Sequence, residues 1–119
     1  MKRGEIYLVN FGKKYNSEFG KVRPALIIQN DIANRNMEKV VFKGVTMLPL
    51  TTLITGGDVR VYVGEREALE KESEICINEV CTLDVSRIKS KKCLAVLTEA
   101  EMDEVKSKIL WHLGLTKNQ

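Results

Sequence analysis

Up to residue 97 the apolar residues fall in short runs or strict alternation, and a helical repeat appears only in the last segment. That division restricts the chain to a mainly β fold closed by one C-terminal helix, an α+β arrangement. The strand-like stretches are Gly4 to Phe11, Pro24 to Gln29, Val40 to Leu48, the alternating Val59, Val61 and Val63, Ile75 to Thr82, and Cys93 to Leu97. Turn-forming or charged residues separate them, the pattern of a small, strongly bent sheet or barrel. Pro49 to Gly57 reads as a threonine-rich loop, and Asn30 to Glu38 has room for a single helical turn. At the end, Thr98 and Glu101 have the spacing of a capping box. Met102, Val105, Ile109 and Leu113 then repeat at helical intervals, and Gly114 stands where a C-terminal cap belongs.

With 119 residues, the chain is expected to form one domain over residues 1–119. Its apolar runs are too short to cross a membrane. Met1-Lys2-Arg3-Gly4-Glu5 leads directly into a strand with no secretory pattern, so a cytoplasmic protein is expected. Cys76, Cys81 and Cys93 show no Cys-x-x-Cys spacing, and His112 is the single histidine. Reduced thiols, no metal and no cofactor follow as expectations. A net charge of +3 permits a polyanionic partner without requiring one.

The most specific segment is Asn16-Ser17-Glu18-Phe19-Gly20-Lys21-Val22-Arg23-Pro24, which leads into Ala25-Leu26-Ile27-Ile28. A glycine-containing polar loop here delivers a carboxylate and an arginine to the start of a buried strand. A guanidinium in such a place can grip a phosphate through two hydrogen bonds at once. Taken singly, Arg23 also reads as a surface arginine, Glu18 as a solvated loop carboxylate, and Thr46 as a residue suited to the β pleat. Glu65, Glu67, Glu70, Glu72 and Glu74 read as one solvated acidic face, and Arg87, Lys89, Lys91 and Lys92 as a basic turn. His112, beside Trp111 on the terminal helix, reads as packed or half exposed and not as a triad base, and no phosphate-loop motif marks a Walker-type nucleotide site.

In combination, several motifs resemble the MazF/PemK family of toxin endoribonucleases. They are Arg3-Gly4-Glu5-Ile6-Tyr7, the segment Gly20 to Asp31 with its Arg23-Pro24, Asn34-Arg35, Val45-Thr46, Thr82 to Ile88, and Leu113-Gly114-Leu115. The resemblance implies an SH3-like β-barrel with helices, assembled as a homodimer. It implies metal-free cleavage of single-stranded RNA (mRNA), often at a preferred short sequence, and inhibition by a cognate antitoxin. By motif position it assigns catalysis to Arg23, Thr46 and Glu18, with Ser17 beside the glutamate. Candidates for RNA contact are Tyr15, Asn16, Ser17, Phe19, Gly20 and Lys21, with the Leu50 to Gly57 loop. The chain departs from the family pattern at Phe19, Asn78, Glu79 and Cys81. The departures at Phe19 and Cys81 leave one alternative, a non-cleaving relative that binds antitoxin or nucleic acid. A second is a gyrase-inhibitor type of toxin, a structurally similar class that lacks the Arg-Pro motif.

Overall fold

The computed structural model describes residues 1–12 and 21–116. Strands β1 (Glu5–Asn10), β2 (Val22–Ile27) and β3 (Gly44–Thr51) form an antiparallel meander. Helix α1 (Asp31–Arg35) and a short 3-10 turn (Met37–Lys39) lie between β2 and β3. Asn30 caps α1 by accepting from the Ala33 amide. Strands β4 (Arg60–Val63), β5 (Ser73–Cys76), β6 (Cys81–Asp84) and β7 (Ala95–Val96) follow, and helix α2 (Glu99–His112) ends the fold. The sheet runs β4-β5-β3-β2-β1-β7, with β6 also paired to β3.

The sheet curls until Ile88, just beyond β6, bridges Val9 of β1. This closes a small barrel of β1, β2, β3 and the β6 segment. Alternation along the strands then sorts the apolar side chains into two cores. Tyr7, Val9, Ala25, Ile27, Val45 and Met47 point into the barrel. Ile6, Leu26, Leu48, Leu50, Ile75 and Val105 belong to the second core, which α2 covers with Met102 and Ile109. Burial of each such side chain contributes about 1.5–3 kcal/mol, so a one-residue register slip would exchange the two sets at great cost.

Both expected features of α2 are present. Thr98 and Glu101 satisfy each other's backbone amides in a capping box. Gly114, at φ 71°, ends the helix while its amide reaches Trp111 O and that of Leu115 reaches Leu110 O. Leu113, expected in the apolar stripe, is instead the exposed C-cap residue.

Two strand assignments shift. The third strand starts at Gly44 rather than Val40, leaving Val41 and Phe42 exposed. Phe42 and the Thr82 methyl occupy the space a side chain at position 44 would need. This strand also continues through Pro49 to Thr51, where the sequence suggests a loop. Pro49 is tolerated because β3 changes neighbours there. Residues up to Met47 pair with β6, and those from Leu50 pair with β5. The proline's missing donor falls in that gap. The stretch expected as one strand, Ile75 to Thr82, is broken at the same level by a 3-10 turn over Ile77–Glu79.

Candidate active site at the barrel mouth

Arg23 stands opposite Val9 in the β1–β2 ladder and shares the barrel-side face with Ala25. Ala25 in turn pairs with Pro49 of β3. Continued two residues further, this register brings Arg23 level with Thr51 on the same face. From β5, Ile75 pairs with Leu50 and Glu74 with Thr51, so Cys76 lies level with Pro49. Electrostatics agree with this placement. Burial pushes the Cys76 thiol up to about 11, and Arg60 and then Arg23 are the cations that oppose the rise. The Nε of Arg23 is buried.

A cavity of about 350 Å³ is lined by Phe11, Pro49, Asn78, Glu79, Val80, Cys81 and Leu83. It occupies the gap where β3 changes partners. Glu79, which lines this cavity, raises the pKa of both Cys76 and Cys81, secondary to burial in each case. A larger cavity of about 670 Å³ lies between Met1, Tyr7, Met37 and Lys89, and neither cavity is lined by Arg23 or Thr51. Backbone geometry next to Arg23 is held tightly. Lys21 has φ 63°, a left-handed conformation that costs a non-glycine residue about 1 kcal/mol or more. Its amide and carbonyl bond Gly12 O and Phe11 N, at 2.6 and 2.8 Å, and so fix where β2 begins.

Thr51 Oγ1 accepts from the Leu53 amide at 3.1 Å. With an acceptor position already engaged, its single O–H is left to donate elsewhere. Glu74, paired with Thr51, is buried and forms an ion pair with Arg60 at 3.0 Å. Burial works to raise its carboxyl, but the amides of Thr55 and Gly56 and the Arg60 guanidinium hold it below the ordinary carboxylate range. Glu74 thus leaves the solvated acidic face expected from sequence, while Glu65, Glu67, Glu70 and Glu72 are exposed as that reading has it.

A family model for the PemK-like, MazF-like toxin of type II toxin-antitoxin systems matches residues 2–113. The chain belongs to this toxin family. Endoribonuclease MazF of Staphylococcus saprophyticus is 33% identical over 118 residues, which cover 97% of this chain and 92% of that protein. Among solved structures, MazF from Deinococcus radiodurans superposes with a TM-score of 0.77 at 21% identity, over 96% of each chain. A mycobacterial endoribonuclease in complex with its cognate antitoxin gives 0.74 at 22% identity, over 98% of this chain and 97% of that one. These neighbours share the curled β fold with its C-terminal helix.

Within the toxin protomer, the residues expected to act together are only partly brought together. Arg23 is half-buried near the start of β2, and exposed Lys21 lies just before that strand. Tyr15, Asn16, Ser17, Glu18, Phe19 and Gly20 lie outside the described residues. Thr46 is not beside Arg23. It sits at the other end of β3, where its carbonyl accepts from both Ile28 and Gln29 in a bulge. By alternation its side chain projects from the opposite face, and its hydroxyl bonds that of Thr82 at 2.8 Å. The step from Thr51 to Thr46 is about 16 Å of extended strand. Sequence reasoning passed over Thr51 because Pro49 was taken to end the strand. The available signal was Leu48-Pro49-Leu50, which keeps the β alternation going.

Proposed function

We propose that this toxin is a metal-independent endoribonuclease that cleaves single-stranded RNA, mRNA in the cytoplasm, at a preferred short sequence. Arg23 and Thr51 hold the scissile phosphate. The observation that carries this reading is the cross-strand register that sets Thr51, its Oγ1 engaged as an acceptor by Leu53, level with a half-buried Arg23. The relative at 33% identity is named an endoribonuclease, which supports the reaction class.

Cleavage without a metal requires the ribose 2′-hydroxyl to attack the adjacent phosphorus in line with the departing 5′-oxygen. The bond from phosphorus to O5′ breaks, leaving a 2′,3′-cyclic phosphate and a 5′-hydroxyl end. Arg23 pairs with the non-bridging oxygens and donates toward the leaving oxygen. Thr51 donates to a non-bridging oxygen as charge develops. Preorganised donors of this kind contribute about 3–4 kcal/mol each to the transition state. A guanidinium is too basic to accept the 2′-hydroxyl proton, and Glu18 on the adjoining loop is the carboxylate assigned to that step.

The solved neighbour in complex with its cognate antitoxin supports a toxin bound by an antitoxin here as well, and the protein is proposed to act as a homodimer. The test is incubation of the purified protein with unstructured RNA in EDTA. Cuts that resist chelation, end in a cyclic phosphate and disappear when the cut-site ribose is 2′-deoxy are expected. A binder or a gyrase-type inhibitor would leave the RNA intact.

A further inference from the structure

The loop following Thr51 is exposed, yet a buried charge holds it from beneath. Glu74 Oε1 accepts from the Thr55 amide and Oε2 from the Gly56 amide, each at 2.9 Å. Arg60, bound to the same carboxylate, donates to the Leu53 carbonyl at 3.1 Å. From α2, Lys108 reaches Gly57 O at 3.4 Å and Arg60 O at 2.6 Å. At its base the Leu53 amide is bound to Thr51 Oγ1. The loop is therefore tied at Leu53, Thr55, Gly56 and Gly57, and the side chains of Leu53 and Ile54 are held out in water.

Burying a carboxylate and a guanidinium is costly unless both are well bonded. For loop closure alone, a neutral turn would serve without that cost. What the clasp adds is a fixed geometry for two apolar side chains one turn away from the phosphate-holding hydroxyl. Single-stranded RNA is read through its exposed base faces and edges, and a rigid apolar contact binds a base with little ordering cost. We propose that the Glu74–Arg60 clasp is a positioning device that presents Leu53 and Ile54 to a base flanking the scissile phosphate, and so sets which RNA word is cut. Glu74 acts through the loop and does not touch the reacting atoms. The proposal rests on the RNA-cleaving reading given above and names the element that supplies its selectivity.

Amide hydrogen exchange on the unmodified protein is the first measurement. Thr55 and Gly56 amides are expected to exchange slowly despite their exposed loop, and free exchange at both would overturn the clasp. Cut ends are then mapped on a mixed RNA pool for wild type, Glu74→Gln and the surface variant Leu53→Ser/Ile54→Ser. In Glu74→Gln the protection is lost, KM rises about tenfold with kcat changed less than threefold, and cuts spread to more words. In Leu53→Ser/Ile54→Ser the word relaxes while the protection stays. A purely structural carboxylate would instead lower the active fraction and the melting temperature with the cut words unchanged, which overturns the proposal. If Glu74→Gln does not fold, the surface variant decides, and wild-type selectivity in it sinks the idea. A wild-type protein that cuts no RNA would remove the functional reading itself, a result separate from intact cleavage with unaltered words.

Discussion

The hydroxyls of Thr46 and Thr82 are hydrogen-bonded to each other at 2.8 Å across the β3–β6 ladder, on the face that points away from Arg23. That bond gives Thr46 a structural role and leaves the threonine at position 51 to face the arginine. Replacing each threonine separately tests the assignment. Thr51→Ala is expected to lower kcat by about 10²–10³, the loss typical of one oxyanion-stabilising donor. Thr46→Ala is expected to retain cleavage within a few-fold, and Arg23→Ala to abolish it with the fold intact. The reverse ranking of the two threonines in single-turnover assays would overturn the assignment.

Arg66 joins the β4–β5 connection to helix α2 through both oxygens of Glu101, at 2.7 Å each. The same glutamate accepts from the Thr98 amide as the capping-box residue. Glu101→Ala removes cap and ion pair together and is expected to cost about 1–2 kcal/mol of stability. Urea unfolding checks this. A loss close to zero would mean that the helix start is held by packing alone.

Acidification bears on stability through depressed carboxylates. Glu101 titrates below its ordinary range, chiefly because of Arg66, and Asp31 does so because of the Arg3 amide. Asp84, through Ser86, and Glu74 are lowered as well. Each binds its proton more weakly in the folded than in the unfolded chain. Their contribution is complete above the ordinary carboxylate range and is lost as the pH falls below about 4, through the folded-state values. Unfolding free energies measured from pH 7 to pH 3 should therefore drop toward the acid end. The drop should be shallower in Glu101→Gln, and an equal slope in that variant would discount the pair.

The three thiols differ in burial, but all are raised by it. Cys76, at about 11, is fully enclosed, and Cys81 and Cys93 are partly exposed with thiols also pushed up, burial being the first cause. Thiolates are the reactive form. A maleimide at neutral pH should therefore modify Cys81 and Cys93 slowly and Cys76 only after denaturation. Rapid native labelling at Cys76 would show that the sheet opens around β5.

Much of the architecture was legible in local sequence. Alternation in Val59, Val61 and Val63, the Thr98–Glu101 box and Gly114 each act over a few residues, so the chain itself specifies β4 and both ends of α2. The Arg23-Pro24 motif likewise named the arginine on which the proposed phosphate site rests. Its proposed partner threonine was hidden, because it depends on which residues of β3 face β2. Pro49 looks like a strand end until the sheet shows β3 exchanging β6 for β5 at that residue, where no donor is needed. Glu74 looked solvated for a similar reason, since its partners are amides and a guanidinium supplied by other segments of the chain. Sequence by itself determined the strands, the closing helix and the arginine, all set by short-range periodicity and capping. Only the tertiary structure decided which threonine meets that arginine and which acid is buried, because cross-strand register and desolvation arise once distant segments pack together.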